Sequence, residues 1–150
     1  MTSSHNISKK NTNKMTKQYK ICLPQFRKGY HLITSLIMQE IDKLPEAGIM
    51  HIHIKHTSAG LTLNENADPT VLTDFNSFFK RLVPENLDYF VHTDEGSDDM
   101  PAHIKASLMG NSVTIPITNH RPNLGIWQGI YIGEFRNYGG NRNLVVTVIE

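Results

Sequence analysis

Asn143 to Ile149 does more than any other stretch to limit what this chain can fold into. Leu144, Val146 and Val148 fall on one face of a strand, and Val145, Thr147 and Ile149 on the other. Both faces are apolar or β-branched, so the strand needs cover on two sides and belongs in the middle of a sheet. Ser112–Ile117 and Gly125–Phe135 read as strands before it, and Asn137-Tyr-Gly-Gly-Asn141 reads as a hairpin loop between the last two. Hairpin-linked strands disfavour a purely parallel sheet.

Earlier segments alternate strand and helix. Residues 18–24 and Tyr30–Ile33 read as short strands, and Thr34 or Ser35 caps a helix running to about Leu44. Ile52 and Ile54 alternate with His51, His53 and Lys55, which makes 49–56 the clearest strand. His51 and His53 then face solvent, while His56 shares parity with the buried isoleucines. Residues 57–69 read as a polar loop. Asp68-Pro69 starts a helix to about Leu82, whose stripe of Val71, Leu72, Phe75, Phe78, Phe79 and Leu82 should face the core. Tyr89–Val91 reads as a short strand. A last helix runs from Met100 to Met109, with Ile104 and Leu108 inward and Gly110 as its stop. The expected fold class is α+β: one compact domain over 18–150, a mostly antiparallel sheet or sandwich with about three helices.

Composition excludes several functions. Residues 1–17 hold Lys9, Lys10, Lys14 and Lys17, no acid and little apolar material, and read as a disordered basic tail. The net charge of +1 gives no electrostatic case for nucleic acid. Cys22 is the only cysteine, so neither an intrachain disulfide nor a Cys-rich zinc site can form, and a reducing cytoplasm is the expected compartment. No run is long and apolar enough for a membrane helix, and no membrane partner is expected.

The chemistry concentrates between His92 and His103. This stretch holds both imidazoles together with Asp94, Glu95, Asp98 and Asp99. Imidazole with carboxylate suits a divalent metal. With His56, the set His56, His92 and His103 could hold zinc through three neutral rings, leaving a fourth position for water. Asp98, Asp99 or Glu95 would orient the rings. The plainer alternative makes both aspartates helix caps and each histidine a satisfied polar residue. The helix start at Met100 also offers N–H groups to an anion. Lys105, Arg121, Arg136 and Arg142 are candidates to hold a phosphorylated substrate, Arg136 foremost. Ser58 lies beside His56, but no nucleophile elbow, P-loop or dinucleotide fingerprint is present.

Three segments together resemble the YjbQ-like family, also called the secondary thiamine-phosphate synthase family. They are His56-Thr-Ser-Ala-Gly-Leu-Thr-Leu-Asn-Glu-Asn-Ala-Asp-Pro69, Glu95-Gly-Ser-Asp-Asp-Met-Pro-Ala-His-Ile-Lys-Ala-Ser-Leu108, and Leu124-Gly-Ile-Trp-Gln-Gly-Ile-Tyr131 followed by Glu134-Phe-Arg136. The resemblance spans roughly residues 18–150. It implies a homotrimer with sites near subunit contacts, metal at histidines, and a weak activity joining a pyrimidine pyrophosphate to a thiazole phosphate. His56, Glu65, His92, Asp99, His103, Gln128 and Arg136 match family positions, whereas Ile126 stands where the family usually carries Thr.

The expected roles follow from residues and resemblance together. Glu65, Asp99 and Arg136 are catalytic; Ser58, Lys105, Gln128 and Trp127 bind substrate; His56, His92 and His103 hold zinc, or magnesium if the substrate is a pyrophosphate. Trp127 or Tyr131 could stack on a pyrimidine that gains positive charge as pyrophosphate leaves. The partner is a small phosphorylated metabolite. The rival expectation is a non-catalytic trimer that binds a metabolite or a protein.

Overall fold

The structure, a computed structural model, describes residues 15–150. Most of the expected basic tail therefore lies outside the described residues. Its last part does not: Thr16 and Lys17 open the first strand, β1 (Thr16–Cys22), and the Lys17 ammonium lies 3.1 Å from Asp42.

The chain continues through β2 (Gly29–Leu32), α1 (Thr34–Gln39), β3 (Ala47–Ile54), β4 (Ala59–Glu65) and α2 (Thr70–Leu82). It ends with α3 (Asp99–Met109), β5 (Ser112–Thr118), β6 (Arg121–Pro122), β7 (Gln128–Glu134) and β8 (Asn143–Ile149). The fold is α+β, and every strand pairing is antiparallel. One sheet has the order β1-β8-β3-β5-β6 and the other β2-β7-β4. β8 lies between β1 and β3, as its doubly apolar sequence requires.

The main core lies between the sheets. Met50, Ile52, Ile54, Leu144 and Val146 from the first sheet join Leu61, Ile130 and Ile132 from the second in one buried cluster. The outer face of the smaller sheet is covered by α3, where Ala102, Ala106 and Phe135 form a second cluster. Close approach there depends on two glycines that are register partners, Gly60 and Gly133. A Cβ on Gly60 would lie 2.9 Å from the Gly110 carbonyl oxygen, and one on Gly133 2.7 Å from the Met109 sulfur.

Several expectations need correction. The stretch expected to be a polar loop holds β4, because Ala59 and Leu61 are buried on one face of that strand. Tyr89–Val91 is no strand, and Val91 is 95% exposed. α1 stops at Gln39, and Pro45 disfavours helical backbone at Leu44. The Thr34 hydroxyl does not cap α1; it accepts the Ile130 N–H at 2.9 Å. Ile104 is only half-buried and Leu108 is exposed, so α3 turns Ala102, Lys105 and Ala106 inward instead. The α2 stripe is not core: none of its residues is buried, Phe75 and Phe79 pack edge-on against Tyr30 while partly exposed, and Phe78 and Leu82 are exposed. Residues 137–141 form no hairpin, because β7 and β8 belong to different sheets.

The segment crossing between sheets is pinned by a buried ion pair. Arg142 donates to both Glu134 oxygens, at 2.7 and 2.6 Å, and also to the Ser58 hydroxyl at 3.0 Å. Glu134 is fully buried and Arg142 nearly so. Removing one partner of such a pair costs about 3–5 kcal/mol, because the other charge is stranded. Glu134→Ala and Arg142→Ala should each lower unfolding free energy by about that much in denaturant titrations. The apolar double variant Glu134→Leu/Arg142→Met should recover much of the loss. Equal losses in single and double variants would show that geometry, not the stranded charge, sets the cost.

Candidate functional site

Asp99 is the centre of the site. It occupies the first turn of α3 and is 1% exposed. A carboxylate so placed must be answered by donors. Its Oδ2 lies 2.8 Å from His92 Nε2 and 3.3 Å from His103 Nε2, and its Oδ1 accepts from Arg136. His103 reaches it from one turn further along α3, the i, i+4 spacing that aligns side chains on a helix face. His92 comes from the irregular chain before α3, with its ring centroid 5.5 Å from that of His103. One ligand atom each from His92, Asp99 and His103 lies within 4.8 Å of the others.

Backbone contacts set the ring chemistry. His103 Nδ1 lies 2.9 Å from the Thr57 carbonyl oxygen, an acceptor only, so Nδ1 carries a proton. In the neutral ring Nε2 then presents a lone pair toward Asp99 Oδ2. Two acceptors that close need a proton or a cation between them. The donor set, two imidazoles and a carboxylate, is one that can hold a divalent ion.

His56 is on the same cavity wall, but not within that ligand set. Its Nε2 accepts the Asn143 N–H at 2.9 Å, which leaves the proton of the neutral ring on Nδ1. The expected set of three imidazoles is therefore revised: the converging atoms belong to two histidines and Asp99. Burial, with the nearby Arg142 charge, holds the His56 imidazole below its ordinary value. Burial pushes the Asp99 carboxyl up, but the His92 hydrogen bond and the Arg136 charge outweigh it, and the group ends below the usual carboxylate range. Asp98 is likewise lowered: the Asn137 N–H and Arg136 outweigh burial.

The cavity over these groups measures 700 Å3 and is lined by His56, His92, Met100, His103, Ser107 and Asn111 among others. Among the described residues, no Lys or Arg lines it. The start of α3 is not an anion cradle either. Asp98 and Asp99 place two carboxylates there, the Asp99 N–H bonds to the Gly96 carbonyl at 3.3 Å, and Pro101 has no N–H to offer.

The other expected site residues fall elsewhere. Arg136 directs Nε, Nη1 and Nη2 at Asp98, Asp99 and the Glu95 carbonyl oxygen, so it positions the start of α3. Ser58 is buried against Arg142 and does not line the histidine cavity. Lys105 is buried on the far side of α3. Glu65 and Gln128 are register partners at the opposite end of β4 from Ala59, about 20 Å away at ordinary strand rise. The Gln128 side chain closes a turn by accepting the Gly125 N–H at 2.8 Å, and Trp127 beside it is 60% exposed. Arg121 is an exposed strand residue. Sequence reasoning missed Thr57 as the carbonyl that fixes the His103 tautomer, for which the sequence holds no signal. It also missed Glu134 as the partner of Arg142.

Known proteins share this arrangement of elements. Residues 19–150 match the family model described as UPF0047 protein YjbQ-like. The chain is 47% identical over 133 residues to the UPF0047 protein YjbQ of Salmonella typhimurium, covering 87% of this chain and 96% of that one. It is 46% identical over 123 residues to the YjbQ protein of Escherichia coli O157:H7, covering 81% and 88%. Among solved structures it resembles a YjbQ/UPF0047 family protein of Clostridium acetobutylicum, with a TM-score of 0.70, 35% identity and coverage of 89% and 99%. A conserved hypothetical protein of Thermus thermophilus superposes with a TM-score of 0.75 at 28% identity, covering 85% and 97%. The chain belongs to the YjbQ-like UPF0047 family. No helix among its described residues is long and apolar enough to cross a membrane.

The lowered positions of His56, Asp98 and Asp99 give one pH dependence. Each folded-state group releases its proton more readily than in the unfolded chain. Their contributions are therefore present above the unfolded values and lost as acid protonates them in the fold. The His56 ring should titrate by NMR with a midpoint below 6.5. His56→Gln should flatten the acid-side fall in stability that wild type shows below that pH; an unchanged slope would assign the fall to other groups.

Proposed function

We propose that this member of the YjbQ-like family is a metal-supported enzyme acting on a small phosphorylated substrate, with His92, Asp99 and His103 as the metal ligands. The observation that carries the reading is the facing pair of acceptors, His103 Nε2 and Asp99 Oδ2, 3.3 Å apart within a set of three converging ligand atoms. A bound divalent ion supplies Lewis acidity and a water of lowered pKa. Zinc suits the donor set, and magnesium would suit a pyrophosphate substrate. The finer reading, condensation of a pyrimidine pyrophosphate with a thiazole phosphate, rests on the family resemblance.

The chain's own part is mostly positioning. Thr57 fixes the His103 ring, Arg136 holds Asp99 in place, and His56 offers a neutral ring at the edge of the cavity. With no Lys or Arg on that wall among the described residues, the imidazoles are the described side chains there that can meet substrate charge.

Glu65, Trp127 and Gln128 would serve this cavity only across a subunit contact. Ile126 and Trp127 are 90% and 60% exposed beside Gln128, apolar surface of the kind a neighbouring copy covers. A homotrimer in which that corner meets the histidine cavity of the next copy would reunite the two groups.

Metal analysis after dialysis should find about one zinc per chain in wild type and in His53→Ala, whose ring is exposed on β3. Asp99→Asn and His103→Ala should bind the metal at least about tenfold more weakly. Equal metal in all four proteins would end the metal reading. Turnover of the pyrimidine and thiazole phosphates should vanish on chelation and return with zinc or magnesium. Tight binding without turnover would favour the non-catalytic reading. Light scattering should give three chain masses for wild type, and Ile126→Asp/Trp127→Ala should dissociate it with metal retained; a monomeric wild type would exclude the shared site.

A further inference from the structure

A second cavity lies on the opposite side of α3 from the histidines. It measures 510 Å3, within the range of small-molecule sites, and shares no lining residue with the first. Residues 103 and 105 point about 200° apart around a helix, which is why one helix serves both cavities. The wall between α2 and the smaller sheet is aromatic. Tyr30 comes from β2, Phe79 from α2, and Phe135 follows β7; the Phe79 and Phe135 rings lie nearly parallel with centroids 6.3 Å apart.

The polar groups of this cavity are poorly answered. Glu134 reaches its wall, but both its oxygens are taken by Arg142. Glu85 is taken by Lys28 at 2.7 Å and by the Ser97 hydroxyl at 3.1 Å. That leaves Lys80 at the rim and Lys105 inside. Lys105 is 7% exposed, and among the described residues its ammonium makes no hydrogen bond or ion pair. The Tyr30 hydroxyl is buried and also lacks a partner. A lysine this buried is ordinarily paired, and its ammonium, unlike the enclosed Tyr30 hydroxyl, opens onto the cavity, which points to a missing acceptor there.

We propose that this cavity is a second ligand site, which takes a small organic anion with a flat apolar body. Its carboxylate or phosphate head is held by the Lys105 ammonium, and its body lies against the rings of Tyr30, Phe79 and Phe135. A neutral aromatic would leave the ammonium unpaired, and a bare inorganic anion would leave the aromatic wall unused. The site is independent of the metal reading and stands if that reading fails.

Calorimetric titration of the full chain tests it, with phenyl phosphate, benzoate, inorganic phosphate and benzyl alcohol as probes. Phenyl phosphate or benzoate should bind once per chain, and the stronger of the two identifies the head group. Inorganic phosphate and benzyl alcohol should bind at least about tenfold more weakly. Lys105→Met should weaken the preferred probe by at least about tenfold. His103→Ala should leave that affinity unchanged. The proposal is overturned if neither aromatic acid binds, if Lys105→Met binds like wild type, or if His103→Ala abolishes binding.

Discussion

The Glu134–Arg142 pair holds the two sheets to one another where the chain passes between them. Glu134 ends β7 in the small sheet, and Arg142 stands one residue before β8 in the large one. Their bidentate contact closes the intervening loop, and a Cβ at Gly139 would fall 2.5 Å from the Glu134 oxygens. Glu134 also accepts the Arg136 N–H at 3.0 Å, which sets the course of the backbone that carries Arg136. Arg136 then grips Asp98 and Asp99, which fixes the start of α3 and with it His103. A buried ion pair adds little net stability over an apolar pair of the same shape. Here it supplies direction: one charge fixes a loop, the loop fixes an arginine, and the arginine fixes a carboxylate between two imidazoles.

α3 is the element shared by everything of chemical interest. Its N-terminal turn supplies Asp99, its next turn His103, and its opposite face Lys105. It can lie this close to the small sheet because Gly60 and Gly133 remove side chains from the contact. One helix therefore forms a wall of both cavities while lending different residues to each.

Much of this was legible in the sequence, and the misses have physical causes. The central place of β8 followed from β-branched residues at both parities. The helix after Asp68 followed from a side chain able to cap it, and Asp68 does accept the Thr70 N–H at 2.9 Å. β4 was hidden because its inward face is carried by Ala59 and Leu61 among Ser, Gly, Thr and Asn, a composition that reads as loop. The supposed hairpin failed because strand adjacency in sequence does not fix which sheet a strand joins. His92, Asp99 and His103 were visible as a cluster of ligand types. That Asp99, rather than His56, completes the converging set depends on the Asn143 amide claiming the His56 ring, a contact across 87 positions that no local pattern encodes. Arg136 and Arg142 looked like phosphate binders, because a surface guanidinium and a buried one are spelled the same.

β8, which separates β1 from β3 in the large sheet, comes after every other described strand in the chain. Until β8 leaves the ribosome, β1 and β3 have no common neighbour, and each presents an unpaired edge to whatever else is nearby. The pairings β3–β5 and β4–β7 can form before β8 arrives, but the large sheet is completed only by a strand that pairs β1 and β3 across most of the chain length. Such topologies fold slowly and expose sticky edges meanwhile. A ribosome that stalls before residue 143 leaves an open sheet rather than a smaller working protein.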